Sequence, residues 1–515
     1  MKMIMKRSIK ILRKILFVLL TILFFSVRYY RKYWNVDFAM ALYQMSSPLK
    51  GTNPQYFIQY FQTAIIPSLV FVISWNLVWK SILYIVGNNG IYININILSH
   101  RWRWLFRNKW IHLSRTIISL MMAILGVFYI FTNAYVSGMF SFMYNYSHAT
   151  EFFEDYYILP EDTQVTFPDH KKNLLLIYME SMETTYMSTD VGGGKPQNYI
   201  PELTSLAQHN INFSNSDKLG GALPSKLTGW TMAALLGTSC GIPFKLPIGE
   251  NDANIYSKFL PGVVGLGDIL SQNGYHNYFL CGSDASFAGR SNFYEQHRDY
   301  IIYDYEYAIN QGKEDEKDRT YWGYDDERLY EYAKEYLNEI GTKEEPFNFT
   351  MLTVDTHHPD GYVCDLCGDE YEEQYANVLA CSSRQIDDFI SWVENQSWYE
   401  NTTVVIIGDH LSMNTDFWND IGDYQRCIYN CFINTDKSSE TLNIHNRIFS
   451  NMDFFPTILS AMSIDIEGDR LGLGTNLFSQ EATLYEVLGK DYVDKQLDGY
   501  SKYYDEQFIR GDRKY

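Results

Sequence analysis

The pattern of apolar and polar positions changes character about a third of the way along the chain. Before residue 140 the apolar residues gather in three long runs, at about 9–27, 64–87 and 116–136. Each approaches the ~20 residues that a helix needs to cross about 30 Å of hydrocarbon, so three transmembrane helices are expected. The second run carries Asn76 and Lys80, and a lysine near a helix end can snorkel to the interface. From about residue 173 the runs shorten and alternate with amphipathic segments. NLLLIY at 173–178, NYFL at 277–280, NFTMLTV at 348–354 and TVVII at 403–407 predict buried strands, whereas 326–340 and 382–393 predict helices. That alternation specifies an α/β domain with a largely parallel sheet flanked by helices. The expected organisation is a membrane domain over 1–136, an aromatic and acidic interfacial linker over 137–170, and a globular domain over 171–515.

Charge follows the same division. The 515 residues carry a formal net charge of −19, which excludes nucleic acid as a partner. Residues 1–150, however, hold sixteen Lys or Arg and a single acid, Asp37, for +15; the rest hold 26 bases and 60 acids, for −34. The bases set a topology. Lys2, Lys6, Arg7, Lys10, Arg13 and Lys14 precede or begin the first run, and Arg101, Arg103, Arg107, Lys109 and Arg115 lie between the second and third. Both segments are expected on the cytoplasmic side. After the third run no base occurs until Lys171, which places the C-terminal half outside. Arg28, Arg31 and Lys32 run against this rule. The first run has no small-residue cleavage site, so it reads as an anchor and not as a removable signal. All seven cysteines lie in the C-terminal half, where an exterior location permits disulfides. Cys364-x-x-Cys367 has no second close pair at zinc-ribbon spacing, so a disulfide from Cys381 to one of the two is expected ahead of zinc.

The candidate chemistry stands at the carboxyl ends of the predicted strands, where open α/β sheets bind ligands. The first strand runs into Glu180 and Ser181, the third into Asp355, Thr356, His357 and His358, and the fourth into Gly408, Asp409 and His410. Taken singly, Glu180 and Glu183 read equally well as first-turn helix acids. Together, carboxylates and imidazoles at one sheet edge suit Mn²⁺ or Zn²⁺, with Mg²⁺ a further option where oxygens dominate. The segment 220–243, GGALPSKLTGWTMAALLGTSCGIP, is a loop leading into a small-residue helix from about Trp230. A hydroxyl at that start meets backbone N–H groups and the positive end of the dipole. Thr228 and Thr231 are both candidates, as nucleophile or as ordinary N-cap.

These residues together resemble the bacterial phosphoglycerol transferases, the group of lipoteichoic acid synthases and periplasmic glucan-modifying enzymes within the alkaline phosphatase and sulfatase superfamily. The likeness covers about 173–480 and rests on YMES at 178–181, GWTMAALLGTSCGIP at 229–243, LGDIL at 266–270, FAGR at 287–290, TVDTHHPDG at 353–361, GDH at 408–410 and DFFPTILSA at 453–461. It implies an alkaline phosphatase/sulfatase-like, extracytoplasmic catalytic domain behind the transmembrane helices, held at the outer face of the bacterial plasma membrane. Carried across by position, it implies Glu180, Thr231, Asp409 and His410 as ligands of one divalent metal, Mn²⁺ first and Mg²⁺ or Zn²⁺ as alternatives. Thr231 is also the implied nucleophile. His357, with His358 in reserve, is expected on the substrate phosphate or a departing oxygen, and Arg290 on the phosphoglycerol head group. The lipoteichoic branch has Trp where this chain has Ala288, so the pocket wall is expected to differ. Sulfatases carry a C/S-x-P-x-R signature that Cys240-Gly-Ile-Pro-Phe does not match, which argues against sulfate-ester cleavage.

The implied reaction is a double displacement at phosphorus. Phosphatidylglycerol donates phosphoglycerol to Thr231, diacylglycerol leaves, and a glycan or glycolipid hydroxyl takes the group. A phosphoethanolamine transferase or phosphodiesterase on the same scaffold is the alternative, and an inactive membrane regulator the reading from a different class.

Overall fold

The computed structural model describes residues 2–34, 38–46, 52–87, 91–97, 100–106, 108–245, 258–298, 300–414, 417–437 and 443–511. It divides into two compact units, Met1–Phe38 with Asn53–Ser141, and Ala39–Thr52 with Phe142–Tyr515.

The first unit is built on α1 (Lys2–Tyr33), α2 (Pro54–Val86) and α3 (Asn108–Val136). Among the described residues, α2 and α3 are long and apolar enough to cross a membrane. Their apolar side chains stay largely uncovered, as at Ile73, Leu77, Leu120 and Phe128, an arrangement that a water-facing helix avoids. In α1 the apolar stretch is shorter, because Lys14 and Arg28 bracket it. Asn76, the polar residue of the second run, accepts a hydrogen bond from Arg115 Nη2 at 2.8 Å. Between α2 and α3 the chain forms an antiparallel pair, β1 (Ile91–Ile97) and β2 (His100–Phe106).

The second unit carries a six-stranded mixed sheet of β3 (Asn173–Met179), β4 (His276–Cys281), β5 (Ile301–Tyr303), β6 (Phe347–Leu352), β7 (Thr402–Gly408) and β8 (Asn430–Ile433). Its order is β5-β4-β6-β3-β7-β8, with β8 alone antiparallel. Every residue of β3, β6 and β7 is buried, as expected for parallel strands covered on both faces. Register decides where their ends fall. Tyr178 pairs with Leu352 on one side and Ile407 on the other, and Met179 pairs with Gly408. The next residues, Glu180, Thr353 and Asp409, therefore emerge side by side.

Helices close both faces. α4 (Thr231–Cys240) is buried from Met232 onward and stops at Gly241, whose φ of 64° is left-handed. α6 (Asp326–Ile340) follows the predicted limits; Asp325 caps it by accepting from Arg328 N, and Leu329, Ala333, Leu337 and Ile340 form its buried stripe. The predicted 382–393 helix is longer: α7 spans Gln374–Glu394. A short helix, α5 (Arg290–Gln296), precedes α6. The expected linker also differs. From Phe142 on it belongs to the second unit, with Phe152, Phe153 and Tyr157 buried and Phe153 packed edge-on against Tyr504 and Phe508.

Candidate active site

β3 delivers Glu180 and then turns at Ser181, whose φ of 54° is left-handed. That conformation costs a non-glycine residue roughly 1–2 kcal/mol, and two bonds hold it. Ser181 N donates to Asp409 Oδ1 at 2.7 Å, and Ser181 Oγ donates to Glu180 Oε1 at 2.6 Å. On the neighbouring strand Gly408 is required, because a Cβ there meets Met182 O at 1.8 Å. The close approach lets Asp409 N donate to Met179 O at 3.1 Å.

Around this turn Glu180, Asp409 and His410 gather with ligand atoms all within 4.8 Å of one another. His410 Nε2 lies 3.5 Å from Glu180 Oε1 and 3.3 Å from Asp409 Oδ2. Its Nδ1 faces Leu411 O at 2.9 Å; a carbonyl only accepts, so the proton sits on Nδ1 and Nε2 turns its lone pair inward. Thr231, the first residue of α4, donates from Oγ1 to Glu180 Oε2 at 3.2 Å and stands 3.4 Å from His410 Nε2. As the first residue of α4, Thr231 stands where the helix leaves its first-turn N–H groups open and its positive dipole end.

The electrostatics fit a cation. Burial and then the Glu180 charge push Asp409 up to about 7. Burial also works against the Glu180 charge, but His410, His357 and the Ser181 and Thr231 hydrogen bonds outweigh it and hold Glu180 below its ordinary value. His410 is raised, its burial overcome by Asp409 and Glu180. Asp409 Oδ2 is buried and accepts no hydrogen bond among the described residues. Two crowded carboxylates, one with an orphaned oxygen, and an inward imidazole lone pair form a donor set that a divalent metal satisfies.

Beside the cluster a pocket is lined by Glu180, Thr231, Ser283, Arg290, Trp322 and His357, among others. Arg290, buried at the start of α5, donates from Nη2 to Ser283 Oγ and Asp284 O, both at 2.9 Å, and its Nε has no hydrogen-bond partner among the described residues. Ala288 lines the same wall, and Trp322 packs 5.1 Å from both Phe287 and His357. His357 Nδ1 donates to His358 O at 2.9 Å, leaving Nε2 for the pocket. Burial holds this imidazole below its ordinary value, against the pull of Glu180.

Other candidates fall elsewhere. His358 is buried behind His357, the rings 4.9 Å apart, and does not line the pocket. Thr228 is fully buried and donates to Ser225 O at 2.9 Å, a loop-closing role. Glu183 is an ion-pair residue: Arg426 grips it through Nε at 2.7 Å and Nη2 at 2.5 Å, and Ser412 N donates to it at 3.2 Å. The expected disulfide is not formed: Cys364, Cys367 and Cys381 are unbridged thiols. Cys381 does meet the 364/367 pair, with Cys364 Sγ 3.7 Å from each partner. Sequence reasoning passed over Ser283, two residues beyond the end of β4, and Trp322, which lies in the loop before α6.

Residues 172–464 match the model of a family described as Sulfatase. The chain is similar to phosphoglycerol transferase I of Escherichia fergusonii, 31% identical over 338 residues that make up 64% of this chain and 42% of that protein. It is likewise similar to phosphoglycerol transferase I of Escherichia coli, 32% identical over 340 residues with the same shares. The chain thus spans less than half the length of these relatives. Among solved structures, the lipoteichoic acid synthase LtaP of Listeria monocytogenes aligns over 62% of this chain and 79% of that one, with 20% identity and a TM-score of 0.45.

Proposed function

The chain belongs to the sulfatase family, and from that premise we infer that it is a membrane-anchored transferase moving phosphoglycerol from phosphatidylglycerol to a glycan or glycolipid hydroxyl. The observation that carries this reading is the Thr231 hydroxyl at the N-terminus of α4, held against Glu180 and His410. A divalent metal held by Glu180, Thr231, Asp409 and His410, with Mn²⁺ the first choice, would neutralise phosphoryl charge and acidify the threonine hydroxyl.

The chain's own residues account for the rest. Thr231 Oγ1 attacks phosphorus, the bond to the diacylglycerol oxygen breaks, and phosphoglycerol remains esterified to Thr231. The α4 N-terminus and Arg290 face the anionic phosphodiester and fix its orientation. A proton taken up at the free His357 Nε2 goes to the departing diacylglycerol oxygen, and the same Nε2 then takes the proton of the attacking acceptor hydroxyl, while Thr231 Oγ1 leaves as the alkoxide that made the first attack. Trp322 and Phe287 exclude water beside them. The relatives' name, phosphoglycerol transferase I, supports the choice of group transferred. A lipid donor also suits the first unit: α1, α2 and α3 as three spans, with the N-terminus inside, would put donor and catalytic unit on one outer surface and make their encounter effectively intramolecular.

The test is release of diacylglycerol from labelled phosphatidylglycerol by the purified chain in Mn²⁺, in competition with phosphatidylethanolamine. Preference for phosphatidylglycerol and acceptor-dependent turnover support the reading. Preference for phosphatidylethanolamine would convert it to a phosphoethanolamine transferase, turnover without an acceptor to a phosphodiesterase, and no release from either lipid would leave a regulator.

A further inference from the structure

The active-site cluster is one of two groups of metal-ligating side chains among the described residues; the other is Cys364, Cys367 and Cys381. Cys364 and Cys367 lie in the loop that follows β6, joined by a turn in which Cys367 N donates to Cys364 O at 3.1 Å. Cys381 comes from α7. Cys364 and Cys381 are buried and Cys367 is half-buried. The Cys364 sulfur stands 3.7 Å from each of the other two. A tetrahedral centre with metal–sulfur bonds of about 2.3 Å has sulfur–sulfur edges of about 3.8 Å, so both edges at Cys364 already match a thiolate metal site, and all three sulfurs lie within 4.8 Å of one another.

The fourth corner is supplied as well. Gln385 lies one helical turn after Cys381 on the same face of α7 and is 7% exposed. Its Nε2 reaches Cys381 Sγ at 3.3 Å and Cys364 Sγ at 3.6 Å, while its Oε1 is buried without a hydrogen-bond partner among the described residues. A half-turn of the amide exchanges the two ends in the same space and points Oε1 at the sulfurs. The surroundings favour a cation: between 355 and 373 the loop holds seven acids and no Lys or Arg.

We propose that Cys364, Cys367, Cys381 and the Gln385 carbonyl oxygen bind a zinc ion that staples the loop after β6 to α7. Binding exchanges three thiol protons for three metal–sulfur bonds and leaves the ion's oxidation state unchanged. The other end of the same loop presents His357 to the pocket, where Tyr321 OH already donates to His357 O at 2.7 Å; the staple is a positioning device for that imidazole. The metal site rests on the sulfur spacing and the Gln385 amide, independently of which reaction the pocket carries out.

The experiment is elemental analysis of the purified full-length chain, followed by replacement with Co²⁺. The active-site cluster has no thiolate, so thiolate-to-cobalt charge-transfer absorption reports on this site specifically. One thiolate-bound ion per chain is expected, with the charge-transfer band lost in Cys381→Ser. Gln385→Ala is expected to weaken binding about 10-fold or more, and Gln385→His to retain it. A mass two hydrogens low, with Cys364 linked to Cys367 or Cys381 and no zinc, would overturn the proposal. So would three alkylatable thiols that take up neither zinc nor cobalt. Unchanged affinity in Gln385→Ala would remove Gln385 from the site.

Discussion

Thr231 Oγ1 lies 3.2 Å from Glu180 Oε2, although the two residues are 51 positions apart and come from a helix start and a strand end. Parallel register produces the meeting. β3 and β7 end together at Met179 and Gly408, which lines up Glu180 with Asp409, and α4 begins opposite them. The hydroxyl, two carboxylates and His410 form one polar knot in an apolar surround, and the consequences of cutting it are specific.

Ser181 holds Glu180 and Asp409 through separate bonds, from Oγ and from N. Ser181→Ala removes the first and keeps the second. Groups that orient metal ligands typically contribute 10–100-fold in affinity, so calorimetric titration with Mn²⁺ should show a loss of about that size with little change in melting temperature. Wild-type affinity in the variant would show that Glu180 needs no such support.

Arg290 is buried, bonded to Ser283 and Asp284 through Nη2, with Nε unpartnered among the described residues. Arg290→Lys keeps the charge but loses the planar fork. We expect kcat/KM for a phosphodiester lipid to fall about 10–100-fold, the worth of a charge-assisted bond, and Arg290→Ala to fall further. Equal activity in all three proteins would place the head group elsewhere.

Buried Glu183 and half-buried Arg426 form an ion pair that fixes the turn after His410, since Arg426 Nη2 also donates to Ser412 O at 2.8 Å. Removing the arginine alone strands a fully buried carboxylate, at a cost of about 3–5 kcal/mol. Denaturant unfolding of Arg426→Met should show a loss of that order. The double variant Glu183→Gln/Arg426→Met should recover part of it.

Asp326 and Asp355 give the second unit a pH dependence. Each accepts a backbone N–H of the other, Asp326 N to Asp355 Oδ2 at 3.2 Å and Asp355 N to Asp326 Oδ2 at 3.0 Å. Burial pushes Asp326 up to about 7, and burial together with the Asp326 charge pushes Asp355 well above its usual range. In the unfolded chain both ionise near pH 4. Between those values the folded protein keeps protons that the unfolded chain has released, so this stability is complete at low pH and is lost as the pH rises through about 7. Melting temperature should decline across that interval, and Asp355→Asn should flatten the decline. An equally steep decline in the variant would assign it to other groups.

How much of this was legible in the sequence follows from what each signal depends on. β3, β6 and β7 are apolar on both faces, so their positions and the chemistry at their ends stood out without a fold. α6 was read to its limits because its cap and its stripe are both local. The start of α7 was hidden: Tyr375, Ala376, Val378 and Leu379 are buried, but Glu372, Glu373 and Gln374 before them read as a polar loop. β5 and β8, at three and four residues, are too short to show a period. Contacts between distant segments were invisible by nature. Arg426 meets Glu183 across 243 positions; the approach of Cys381 to the 364/367 pair, by contrast, was expected from the cysteine spacing, though as a disulfide. Choosing Thr231 over Thr228 likewise needed the helix start, or the family resemblance.

The central claim is that Thr231 carries phosphoglycerol during turnover. The most direct measurement is peptide mass spectrometry of the purified chain quenched after mixing with phosphatidylglycerol and Mn²⁺ in the absence of an acceptor. The account predicts one phosphoglyceryl group on the peptide containing Thr231, absent in Thr231→Ala and discharged when a glycan acceptor is added. Diacylglycerol release with no adduct on Thr231, or undiminished release by Thr231→Ala, would contradict it.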